Sequence, residues 1–233
     1  MWVYLYPNNS ELAMKNAYIG EYRVPWENTI LYLPLSEDTT DKSWNNVWTT
    51  NSNVTIWVNQ WISCWYFNWS NAHIQITPFA IPSTITILYW SYCQLGSNYW
   101  DWKIFDARTS SRALLTVFDW YNSERWYSWY NDSNRIYTSS SANKKNQRIF
   151  MAMTVKNGEQ NIYVKWNSVD LSWSFSQSFS WYTPTYTNVW NERNNSASRY
   201  FKWYISNLIV ENKIWTAQEV AAYYNLTKSN YGL

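Results

Sequence analysis

From residue 28 onward the chain alternates short apolar runs with polar, Asn/Ser/Asp-rich turns, the pattern of strands in an all-β domain. Ile30 to Leu35 form one apolar run, in which Pro34 suits an edge or a strand end. Tyr66-Phe67 and His73 to Ile76, joined by the polar residues 68–71, read as a hairpin-like pair. Thr84 to Trp90 is rich in β-branched and aromatic residues, and Trp102 to Phe105 and Ala113 to Phe118 continue the series. Ile149, Met151, Met153 and Val155 alternate with other residues, giving one buried face. The turn Lys156-Asn157-Gly158-Glu159 then leads to Ile162 to Val164, which predicts a hairpin over 148–165. Tyr204 to Val210 is the last strand. A helix is predicted over 216–225, where Thr216 and Glu219 make a capping box and Val220, Ala221 and Tyr224 make an apolar stripe. About a dozen strands and one short C-terminal helix predict an antiparallel two-sheet sandwich over residues 28–233. Residues 1–27 show no sustained period and read as an N-terminal arm or linker, with room for a helical turn or two at Glu11 to Ala17. Residues 36–53 and 139–146 read as polar loops.

Charge narrows the function classes. With 18 basic and 16 acidic residues the net charge is +2, too balanced for a protein that grips nucleic acid or an anionic membrane. No apolar run reaches the roughly 20 residues of a membrane-spanning helix. Met1 to Tyr6 lack the basic and apolar regions of a signal peptide. Two cysteines, Cys64 and Cys93, suit buried thiols, and a disulfide only if their strand ends adjoin. His73 is the one histidine, which excludes multi-histidine metal sites and reads as a half-buried strand residue.

Composition holds one anomaly: 20 Trp against 4 Gly. Trp44, Trp69, Trp120 and Trp166 lie in polar clusters between strand-like runs, where a turn needs a residue that accepts φ > 0. Glycine is the usual occupant and tryptophan among the worst. We read many of these tryptophans as standing for glycine, through a gene whose UGA codons specify glycine in its source.

With Trp read as Gly at such positions, four segments resemble the laminin-G-like, concanavalin A-like jelly-roll domains. Leu31-Tyr32-Leu33-Pro34-Leu35 with Asp41-Lys42-Ser43-Trp44-Asn45 is similar to the family's opening strand and its "D-x-S-G-N" loop. Tyr66-Phe67-Asn68-Trp69-Ser70 with His73 to Ile76 is similar to its "F-D-G-S … Y-I-x-I" hairpin. Thr86 to Trp90 is similar to its "T-I-S-x-W" strand. Phe201-Lys202-Trp203-Tyr204-Ile205 with Trp215 to Glu219 is similar to its closing strand and helix. The resemblance covers residues 29–226 and implies a concanavalin A-like jelly roll. It also implies a structural calcium. The carboxylates expected for that ion are replaced by Asn68, Ser206 and Asn207, which weakens an oxygen-ligand site and leaves Asp38 and Asp41 as the candidate metal ligands.

Glycosidases of this fold carry a Glu-x-Asp-x-x-Glu strand motif, and none is present. Asp101 and Asp106 flank a strand, but their odd separation predicts opposite faces. The protein is therefore read as no enzyme. Its most glycan-like stretch is 119–132, where flat rings stand beside short polar side chains. Tyr121, Trp129 and Tyr130 are the candidate stacking faces, and Asn122, Asn131 and Asp132 the candidate hydroxyl partners. A hairpin whose aromatics pack into the sandwich is the alternative there. These features point to a non-catalytic adhesion module outside a cell or on a virion, binding a glycan or surface glycoprotein, in multivalent form. A structural decoration module of a phage particle or surface complex is the alternative, and a glycosidase the third reading.

Overall fold

A computed structural model of the protein describes residues 18–19, 22–23, 28–34, 40–43, 45, 47–52, 54–59, 62–67, 72–93, 101–110, 113–119, 125–130, 135–137, 148–164, 167–168, 181–189 and 203–233. Extended segments succeed one another through them. They are β1 (Tyr18–Ile19), β2 (Tyr22–Arg23), β3 (Thr29–Leu33), β4 (Thr49–Ser52), β5 (Val54–Asn59), β6 (Ile62–Phe67), β7 (His73–Ile76), β8 (Ile85–Cys93) and β9 (Asp101–Arg108). There follow β10 (Ala113–Asp119), β11 (Arg125–Tyr130), β12 (Arg135–Tyr137), β13 (Arg148–Lys156), β14 (Glu159–Val164), β15 (Asn167–Ser168), β16 (Tyr186–Val189) and β17 (Trp203–Glu211). The helix α1 (Ala217–Thr227) runs into a 3-10 turn at Lys228–Tyr231.

The strands form two antiparallel sheets. One has seven strands in the order β12-β11-β10-β9-β16-β7-β4. The other runs β15-β14-β13-β8-β17-β6-β5, with β3 also pairing the far half of β17. The predicted hairpin over 148–165 is β13–β14, turned at Gly158 with φ +71°, a conformation glycine adopts without steric cost. A separate two-stranded ladder, β1–β2, lies in the segment read as an arm.

Apolar alternation from both sheets meets in one core. The seven-stranded sheet contributes Ile74, Ile76, Phe105, Ala107, Leu114 and Val189, and the other sheet Ile85, Ile87, Ile149, Met151, Met153 and Val210. A second apolar layer covers the opposite face of the eight-stranded sheet. There Leu88, Trp90, Phe150 and Ile209 pack against Trp215, Val220, Tyr223, Tyr224 and Tyr231 from the C-terminal segment. Tyr231 stacks on Trp90 with ring centroids 4.2 Å apart. The capping box forms as the sequence predicts: Glu219 N–H donates to Thr216 Oγ1 at 3.2 Å, and Thr216 N–H to Glu219 Oε2 at 2.7 Å. Among the described residues no helix is long and apolar enough to cross a membrane.

Two local expectations are corrected. Residues 66–76 are not a hairpin, because β6 pairs β5 and β17 while β7 pairs β16 and β4 in the other sheet. The chain crosses between sheets there, and Phe67 and Ile74 meet in the core from opposite sides. Residues 49–52, read as loop, form β4, since the ladder to β7 supplies the hydrogen bonds whatever the side chains are. The cysteines do not adjoin either. Cys64 lies on β6 and Cys93 ends β8, with β17 between them. Two strand spacings are about 9.6 Å, beyond the roughly 7 Å that a disulfide spans between Cα atoms.

Candidate functional site

In the seven-stranded sheet, side chains alternate between the core and the outer face. Ile74, Ile76, Thr187, Val189, Phe105, Ala107 and Leu114 occupy the core-side rows. The positions between them make the alternate row of the ladders, Thr50, Gln75, Asn188, Asp106, Leu115, Trp129 and Arg135, of which the last three have side chains outside the described ones. Gln75 and Thr50 are exposed and Asn188 is buried. Two residues along β9 from Asp106, Arg108 stands opposite Tyr186.

Asp106 is completely buried (0% exposed) and is held in a two-pronged ion pair. Arg108 Nε donates to Oδ1 at 2.8 Å and Nη2 to Oδ2 at 2.6 Å. The guanidinium also lies over the Tyr186 ring, 5.9 Å from its centroid. The planar fork matches the carboxylate, so the pair is rigid and its charges cancel. At the β4 end of the sheet, Trp48 is 81% exposed beside a cleft of about 300 Å³ lined by Thr40, Asp41, Val47 and Thr49.

The sequence-predicted residues divide. The stretch read as a loop contains a strand, β11, hydrogen-bonded to β10. Trp129 pairs with Leu115. Tyr130 pairs with Leu114, and the side chains of Trp129 and Tyr130 lie outside the described ones. Tyr121, Asn122, Asn131 and Asp132 lie outside the described residues, as do Asp38 and the loop 139–146. Asp41 is buried and closes its loop onto β3. Oδ1 accepts from the amides of Tyr32 (2.8 Å) and Ser43 (2.9 Å), and Oδ2 from the Ser43 hydroxyl (2.6 Å) and the Val47 amide (2.7 Å). A metal at this carboxylate would have to displace those donors. Among the described residues no cluster of three or more His, Cys, Asp or Glu stands ready to hold a metal ion. His73 is a buried strand residue on β7.

Asp101 and Asp106 depart from expectation. A bulge lets β9 spend one extra residue, Ile104, between the pairs Thr116↔Phe105 and Val117↔Lys103. The parity shifts, so Asp101 returns to the face of Asp106. They are four ladder positions apart, roughly 13 Å, beyond the carboxylate separations of either class of glycosidase. Asp101 pairs directly with Asp119 across the ladder.

Gln75, Asn188, Asp106, Arg108 and Tyr186 were not singled out as binding residues from sequence. The spacing Asp106-x-Arg108 within a strand does signal a shared face, but nothing local places β16 and β7 beside it.

No protein-family model matches the chain, and no curated protein sequence matches it. Solved structures do. The chain is similar to the binding domain of botulinum neurotoxin serotype G, with TM-score 0.66 and 15% identity over 87% of this chain and 52% of that one. It is similar to botulinum neurotoxin type C, whose cell entry depends upon interaction with two ganglioside molecules, with TM-score 0.68 and 13% identity over 86% of this chain and 51% of that one. The fold is a concanavalin A-like jelly roll. Domain 4 of AbnA, an extracellular arabinanase from Geobacillus stearothermophilus, is likewise similar and was solved in complex with arabinotriose. Its TM-score is 0.66 with 13% identity, over 84% of this chain and 98% of that one. This jelly roll thus spans about half the length of the neurotoxin structures it matches and nearly all of the arabinanase domain.

Proposed function

We propose that this jelly roll is a non-catalytic carbohydrate-binding module, of the laminin-G-like kind, whose binding face is the outer side of the seven-stranded sheet. The observation that carries the reading is the polar row at the β4–β7–β16–β9 part of that sheet. The exposed Gln75 and Thr50 stand in register with the buried Asn188 and Asp106, beside a partly buried, oriented Arg108. Sugars present hydroxyls that both donate and accept, and side-chain amides answer both. Likeness to an arabinanase domain that holds arabinotriose supports the same class of ligand. The module fits display outside a cell or on a virion, where weak single contacts are strengthened by repetition.

Glycan-array binding of the whole chain, followed by calorimetry on the hits, tests this. The expected result is micromolar-to-millimolar binding that Thr50→Ala and Gln75→Ala, both on exposed side chains, weaken without loss of fold. Absence of any glycan ligand, with co-purification in a larger particle, would replace it with a structural decoration module. A second reading rests on the pairing of Asp101 with Asp119. Release of reducing sugar that both Asp101→Asn and Asp119→Asn abolish would make the domain a glycosidase.

A further inference from the structure

We infer that the outer side of the eight-stranded sheet holds a second binding site, which takes the carboxylate of a small organic acid at Arg148 and lays the acid's apolar body on a row of tyrosines. It lies on the other side of the sandwich from the face proposed for glycans and does not depend on that reading.

Register builds the row. Arg148 on β13 pairs with Tyr92 on β8, Tyr92 with Tyr204 on β17, and Tyr204 with Tyr66 on β6. Tyr92 stands two residues beyond Trp90 along β8 and so shares its face, the one on which the C-terminal segment packs at Trp90. Along the row the cover is partial: Arg148, Tyr92 and Tyr66 are half-buried, and Tyr204 is buried between the two tyrosines. Ring centroids are 5.8 Å apart for Tyr92 and Tyr204 and 5.2 Å for Tyr204 and Tyr66. The result is a continuous aromatic strip with a cation at one end.

A cavity fixes where the acid group goes. Arg148, Tyr92, Tyr204, Cys64, Ser206 and Tyr231 line a space of about 10 Å³, room for one water-sized group. Ser206 Oγ and Asn207 Nδ2 both donate to the Tyr231 hydroxyl, so that wall is held in place. One carboxylate oxygen fills the room, and the second reaches the same guanidinium, whose planar fork matches two oxygens. A tetrahedral phosphate or sulfate brings more oxygens than the room takes. Charge agrees with the geometry. Burial holds Arg148 below its ordinary pKa and outweighs the opposite influence of Cys64, Tyr231 and Tyr92. An anion at the guanidinium favours the charged form that burial disfavours.

The test is a nuclear magnetic resonance titration of the full chain with phenylacetate, acetate, benzyl alcohol and inorganic phosphate. Phenylacetate should bind in the millimolar range or tighter, about fivefold more tightly than acetate or benzyl alcohol. Arg148→Gln should weaken phenylacetate about tenfold and leave benzyl alcohol unchanged. Tyr92→Ala should weaken phenylacetate about fivefold and leave acetate unchanged. Circular dichroism should not change in either variant. Where a variant unfolds, the order of the four probes on the native chain decides alone. Benzyl alcohol bound as tightly as phenylacetate, phosphate bound more tightly than either carboxylate, or no binding of phenylacetate would overturn the inference and leave the glycan reading standing. Phenylacetate binding that a folded Arg148→Gln variant retains in full would place the acid elsewhere and overturn it as well.

Discussion

Asp41 shows how much one side chain can hold. It satisfies three backbone amides and one hydroxyl in a loop that lies against β3, and the loop is fixed further by Asn45 Nδ2, which donates to the carbonyls of Thr29 and Ile30. Asp41→Ala should cost about 3 kcal/mol in chemical denaturation, because buried donors lose their acceptor. A wild-type midpoint in the variant would refute that role. Asn207 is the one non-glycine with positive φ among the described residues, at +52°, where β17 shifts register between Ser206 and Ile209. Its side chain also donates to the Tyr231 hydroxyl. Both Asn207→Gly and Asn207→Ala lose that bond, but only alanine adds the left-handed strain. The alanine variant should therefore be less stable than the glycine one by about 1 kcal/mol. Tryptophans divide by environment. Trp90 and Trp215 are buried, and their ring N–H groups donate to Thr227 (3.2 Å) and Glu211 (3.0 Å). Trp48 and Trp181 are 81% and 68% exposed. We propose that Trp90 and Trp215 are tryptophan in the native protein, and that Trp48 and the turn positions 44, 69 and 166 are glycine. Peptide mass spectrometry on protein from the native source checks each position, and tryptophan throughout would end the recoding reading. The candidate face rests on Asn188, Gln75, Asp106 and Arg108, so it stands under either outcome.

At the scale of elements, α1 depends on both its cap and the layer beneath it. Glu219 closes the cap and accepts from Lys213 Nζ at 2.6 Å. Burial pushes its carboxyl upward, but the Lys213 and Thr216 hydrogen bonds outweigh this and hold it below the ordinary value. A carboxyl lowered on folding contributes stability above its unfolded pKa of about 4.3, and that contribution is lost as pH falls through the folded value. Glu219→Gln should accordingly cost about 1 kcal/mol at neutral pH. The difference from wild type should shrink in acid. Urea denaturation at neutral pH and below pH ~4 measures it, and a gap that persists in acid would assign the loss to packing. The bulge at Ile104 works at the same scale. One extra residue moves Asp101 to the other face, a change that no count of residues between two aspartates reveals.

For the whole molecule, two apolar layers flank one sheet, while the other carries polar side chains at Thr50, Gln75, Asn188 and Asp106 opposite its core rows. The eight-stranded sheet buries residues on both sides, against the core and against α1. The seven-stranded sheet buries its inner rows, and of its alternate row Gln75 and Thr50 are exposed. That asymmetry is why the second sheet is the face to test for glycans.

Periodicity in the sequence determined much of this by itself. The strands at 29–33, 148–156 and 203–211 and the capped helix are local matters of side-chain alternation and capping chemistry, and a single window contains their cause. The Asp41-Lys42-Ser43 motif was visible too, although its carboxylate turned out to bind amides. Tertiary structure alone decided which strands pair. β6 and β7 follow one another in sequence yet lie in opposite sheets, and Phe67 and Ile74 both belong to the core between them. The row proposed for binding was hidden for the same reason. Thr50, Gln75, Asp106 and Asn188 lie far apart along the chain, and strand order and register bring them together. Those depend on the summed burial of the whole sandwich rather than on any one segment.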